Sequence, residues 1–138
     1  RVEFNDVCLK NPKGYMMIEA LVSIAIFAIG FLAVATLVFS ATRNNTNGNL
    51  LTQANMLAKA TLEMLKSQDI ESSALAVGDY VDPSPVDAHG NPGGIYNRTW
   101  RVDPLGASTR RISVTVAWTK FGSTRQVTMR SNTMGNGV

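Results

Sequence analysis

From Ala20 to Thr42 the chain carries no charge and no proline, and most of those 23 residues are Ala, Ile, Leu, Val or Phe. Wound into a helix at ~1.5 Å per residue, such a run spans roughly 35 Å, enough to cross a bilayer. Glu19 stands at its mouth. A carboxylate beside hydrocarbon is costly, so it marks a functional position in want of a partner. Lys10 and Lys13 precede the run, whereas Arg43 follows it alone, with no further base until Lys59. This asymmetry places the N-terminus in the cytoplasm and the C-terminus outside.

Three readings of the run compete. It is a plain anchor, a secretory signal cut after Ala33-Val34-Ala35 to leave a chain starting at Thr36, or an anchor whose leader is removed ahead of it. The run continues past Ala35 to Thr42, and Glu19 sits poorly in a signal's apolar region. Both facts count against the secretory signal.

Lys13-Gly14, then Tyr15, three uncharged residues, Glu19 and a long apolar helix together resemble a type IV prepilin. The segment Glu19-Ala20-Leu21-Val22-Ser23-Ile24-Ala25-Ile26-Phe27-Ala28-Ile29-Gly30 is similar to the minor pilins called type IV pilus modification proteins, or PilV. Tyr15-Met16-Met17 stands where that family usually has Phe-Thr-Leu, and the run lacks the proline of many major pilins. The resemblance implies that a prepilin peptidase cuts after Gly14 and methylates the new N-terminal residue, Tyr15. Glu19 is then the fifth residue of the mature chain, where the family carries its glutamate. Pairing of Glu19 with the amine released at Tyr15, on its own or a neighbouring chain, removes two lone charges from a low-dielectric layer.

Beyond Arg43, the stretch Asn44-Asn45-Thr46-Asn47-Gly48-Asn49 is poor helix material, which predicts a bend near Gly48 with Asn49 capping a second helix. Leu51, Ala54, Ala58, Leu62 and Leu65 recur at steps of three and four, predicting an amphipathic helix over 50–68. Residues 69–95 are turn-rich, with Tyr80 and Val81 as a short extended piece. Three strands follow by period-two alternation: Tyr96 to Val102 (with Arg98 interrupting the apolar face), Arg111 to Thr119, and Gln126 to Arg130. Lys120-Phe121-Gly122-Ser123 turns the last two into a hairpin, and Ser131–Val138 reads as a frayed end. The fold expected is α+β, which the resemblance makes pilin-like: a long N-terminal helix, half membrane and half amphipathic, packed on a small antiparallel sheet. Its domains are a leader over 1–14, a transmembrane and assembly helix over 15–43, and a head over 44–138 with strands in 96–131.

The head divides in charge. Residues 61–95 hold six acids and one base, while 96–138 hold seven bases and one acid. This predicts a basic sheet that meets the acidic loop of a neighbouring subunit. Arg101, Arg111 and Arg130 fall on polar strand positions, but with no recognition motif nucleic acid is the least favoured partner. Asp79, Asp82, Asp87 and His89 match no calcium or zinc spacing, so no metal is expected, and no cofactor either. The single cysteine, Cys8, lies ahead of the run and cannot close an intramolecular disulfide. No nucleophile elbow, P-loop or zinc-finger spacing is present, so no enzyme is expected. Asn44-x-Thr46 and Asn97-x-Thr99 match the short glycosylation sequon.

The resemblance thus implies a minor pilin, a subunit incorporated into a type IV pilus or initiating its assembly. Its implied partners are the peptidase, other pilin subunits, the inner-membrane assembly platform and, before assembly, the bilayer. A type II secretion pseudopilin shares the same plan, and a DNA-uptake pilin is a more distant alternative. The implied location is the inner membrane, single-pass with a periplasmic head, and afterwards the extracellular pilus.

Overall fold

The computed structural model describes residues 12–138, with side chains from residue 14 onward. Cys8, Lys10 and most of the leader assigned to 1–14 lie outside the described residues. One helix, α1 (Pro12–Lys66), is followed by a single 3-10 turn (Ser73–Leu75) and four strands. These are β1 (Gly78–Val81), β2 (Tyr96–Pro104), β3 (Arg110–Lys120) and β4 (Ser123–Thr133). The chain divides into two compact units, with the boundary between Asn45 and Thr46.

In the first unit the helix satisfies its own polar groups. The hydroxyls of Thr36 and Thr42 donate to the carbonyls of Leu32 (2.6 Å) and Val38 (2.9 Å), one turn back. Such back-bonding hides a hydroxyl where no water is at hand. The helix is long and apolar enough to cross a membrane, and its most apolar window has no residue buried.

The expected bend near Gly48 is not found as a break. Helical hydrogen bonding runs unbroken through Asn44–Asn49, and Asn49 lies inside the helix rather than capping a second one. Interrupting a helix here would orphan carbonyls and amides on both sides, and a new helix would have to nucleate. The low propensity of a few Asn and Gly residues is the smaller cost. Local contacts assist: Thr52 donates its hydroxyl to the Gly48 carbonyl at 3.0 Å, and Gln53 Nε2 donates to Asn49 Oδ1 at 3.4 Å.

In the second unit the end of α1 packs on a four-stranded antiparallel meander in the order β1-β2-β3-β4. This is the α+β arrangement expected. Ile112, Val114, Val116 and Trp118 alternate inward along β3, facing Ala54, Leu57, Ala58 and Leu65 of the helix. Ala54 and Ala58, both without exposed surface, have no side chain beyond Cβ and let the helix lie close to the sheet. Each fully buried large apolar side chain contributes about 1.5–3 kcal/mol. Tyr96 joins this core edge-on to Trp118, with ring centroids 5.9 Å apart. Its hydroxyl lies 2.9 Å from Gln53 Oε1 and 3.2 Å from the Leu50 carbonyl, tying β2 to the helix. Burial of that phenol raises its pKa above the ordinary value.

The helical stripe differs from expectation in one turn. Leu51 is 43% exposed, while Leu57 and Thr61 take inward positions. The inward line runs through Leu50, Ala54, Ala58, Thr61 and Leu65, and a polar Thr in it hides one member from an apolar-only pattern. The stretch assigned to loop, 69–95, also contains β1, paired with β2 from Gly78↔Val102 to Val81↔Thr99. There Tyr80 stacks on Trp100 at 5.5 Å and donates its hydroxyl to the Ala76 carbonyl at 2.8 Å.

Ser131–Val138 is not frayed. The Asn136 and Gly137 amides donate to the carbonyls of Gln68 (2.9 Å) and Lys66 (2.8 Å), closing the C-terminal end of α1. The Lys66 carbonyl, in the last turn, has no partner within the helix, so the tail supplies what a cap would.

Candidate processing and assembly site

Gly14 lies in the first turn of α1, which opens on Pro12. Proline suits that position because its fixed φ is helical and its missing amide would have been an orphan. Glycine is the poorest ordinary helix former, by about 1 kcal/mol against Ala, so the Gly14–Tyr15 bond sits in a turn that propensity holds weakly. Tyr15 is 79% exposed, and Glu19 is exposed one turn further on. A spacing of four places both on one side of the helix. Helical side chains lean toward the N-terminus, so the Glu19 carboxylate leans back over the turn that Tyr15 begins.

Behind Glu19 every large apolar side chain through Phe39 is more than half exposed. Apolar surface on this scale is covered by lipid or by protein. Phe27 and Phe31 stack along it at 6.3 Å, and Gly30 leaves a gap in which a Cβ would meet nothing within 4 Å. The Arg43 guanidinium closes the run, 5.8 Å from the ring centroid of Phe39.

The head holds two further charged arrangements. On the inner side of β2, Arg98 grips Asp82 through two bonds, Nε to Oδ2 at 2.7 Å and Nη2 to Oδ1 at 3.0 Å. Its Nη1 donates to Thr61 Oγ1 at 3.0 Å, and Thr61 in turn donates to the Leu57 carbonyl at 2.8 Å. Helix, strand and loop therefore meet at one guanidinium. The residue that interrupts the apolar alternation is thus the one that anchors the loop.

On the outer face, register brings the three predicted arginines together. Ser113 stands between Arg101 of β2 and Arg130 of β4, and Arg111 lies two residues before it on the same strand. Arg101 Nε pairs with Asp103 (3.1 Å) and with Asp79 of β1 (3.4 Å). Arg111 and Arg130 have no ion-pair partner among the described residues.

Asp79, Asp82, Asp87 and His89 do not converge. Asp79 and Asp82 are taken by different arginines, and Asp87 organises its own turn. Its Oδ1 accepts the amides of His89 (2.8 Å) and Asn91 (2.9 Å). Those bonds, Asn91 first and then His89, hold the Asp87 pKa below the usual carboxylate value. Among the described residues no three His, Cys, Asp or Glu side chains form a metal-binding group.

The chain matches no protein-family model, no curated protein and no solved structure.

Proposed function

We propose that this chain is a minor type IV pilin, a structural subunit without catalytic activity, inserted into or initiating a pilus. One observation carries the reading: Gly14, Tyr15 and Glu19 at their fixed spacing head an apolar helix whose surface lies bare, and that helix leads into a small head with its own core. Before assembly the helix holds the chain in the inner membrane with its head in the periplasm. Afterwards the same surface packs against neighbouring helices in the fibre, and Gly30 and the alanines around it permit close approach. Peptidase cleavage after Gly14 converts an amide into a charged amine at Tyr15. Glu19, leaning toward that end of the helix, is the group placed to neutralise it, in its own chain or the next.

The test is the mass of the mature N-terminus. The chain should begin at Tyr15 and carry one added methyl. A start at Thr36 would establish a cleaved secretory signal, and an uncut chain would establish a plain anchor. Given a Tyr15 start, loss of surface fibres on gene deletion marks a pilus subunit. Loss of protein secretion with fibres intact marks a secretion pseudopilin.

A further inference from the structure

We infer that the outer face of the sheet is the docking surface for a carboxylate-bearing face of a neighbouring protein subunit, seated over Arg111 and Arg130. An open groove crosses this face from β1 to β4. Its charges are set out in order by the strand register. One row reads Asp79, Arg101, Ser113, Arg130, and the next begins Asp103, Arg111. Arg101 already holds two carboxylates, Asp79 of the neighbouring β1 and Asp103 of its own strand, which shows how this surface takes an acid. Arg111 and Arg130 flank Ser113 as diagonal neighbours across β3 and β4, a distance long side chains close easily. Both are exposed, line the groove and make no ion pair among the described residues, which leaves two guanidinium forks on this face for an incoming acid.

The same rows distinguish between macromolecules. Asp79 and Asp103 line the groove and tie up Arg101, so a phosphate backbone laid along it finds only Arg111 and Arg130 without an ion pair and passes two carboxylates on the way. A protein surface offers both signs and meets the acids with its own bases. Such matching sets register and suppresses wrong partners. The inference rests on the assembly reading only in naming the partner a neighbouring subunit.

The experiment uses the full chain expressed in its host, with a photo-cross-linking phenylalanine analogue placed in turn at Thr99 and Thr128, which flank the groove. The expected result is a cross-link to a second protein at a peptide containing Asp or Glu. The yield should fall at least about tenfold in the Arg111→Glu/Arg130→Glu variant and recover in Arg111→Lys/Arg130→Lys. The tryptophan emission of the charge-reversed chain should match the parent, showing an intact core. Absence of a protein cross-link at both positions, or a yield indifferent to charge reversal, overturns the proposal. So does binding of a short DNA duplex by the purified full chain that charge reversal abolishes. A chain that starts at Tyr15 yet fails to cross-link refutes the docking face alone. A chain that cross-links but lacks the Tyr15 start refutes the pilin reading alone.

Discussion

Arg98 shows how one residue can be legible as an anomaly and still withhold its role. An arginine on the inner side of β2 reads as a fault in the alternation, and only the fold brings Asp82 and Thr61 to it. The pair is largely withdrawn from water, with side chains 16% and 14% exposed. Removing one partner of such a pair costs more than the pair itself contributes, because the other charge stays behind unpaired. Asp82→Ala should therefore lower unfolding stability by about 3 kcal/mol, measured by urea denaturation of the full chain in detergent. Arg98→Met/Asp82→Leu, which removes both charges, should recover most of that loss. A double variant as weak as Asp82→Ala would assign the stabilisation to packing of the arginine stem instead.

Among elements, α1 and the tail that closes it depart most from what local patterns suggest. Helix propensity argues against Asn44–Asn49, yet the flanking helix carries through, since propagation costs less than a second nucleation. The tail's order is a tertiary effect: its amides find Lys66 and Gln68, which are far away in sequence. Gly135 makes that turn possible. Its φ is +83°, and a Cβ there would lie 2.6 Å from the Ile70 amide nitrogen. Gly135→Ala should thus unseat the tail from the helix end. The expected signature is loss of hydrogen-exchange protection at Asn136 and Gly137, with β3 still protected and a stability loss of about 1–3 kcal/mol. Retained protection at both amides would show that the turn tolerates the side chain.

For the whole molecule, the two units meet water on different terms. The head buries its own core between helix and sheet, while the apolar helix presents large side chains outward along its whole run. If the chain assembles as proposed above, Glu19 belongs to this scale, because its pairing acts when one chain joins the next. Glu19→Ala should insert into the membrane as the parent does, since a methyl is easier to bury than a carboxylate. Incorporation into fibres should fall about tenfold or more, because an uncompensated amine need cost only about 1.4 kcal/mol to do so. Immunoblots of sheared fibres against membrane fractions measure both. Normal incorporation would refute the charge pairing.

By itself the sequence determined the apolar helix, the acid at its head, and the period-two strands from Tyr96 onward. These follow from solvation and backbone periodicity, which act within a few residues of the chain. The tertiary structure alone decided that Leu50 rather than Leu51 packs on the core with Thr61 turned inward, that the extended piece at Tyr80 and Val81 pairs with β2 as a fourth strand, and that the tail closes the helix. It also decided that Arg101, Arg111 and Arg130 gather around Ser113. Each of these depends on partners distant in sequence, set by strand register and by where the helix lies on the sheet, and no local pattern encodes that placement.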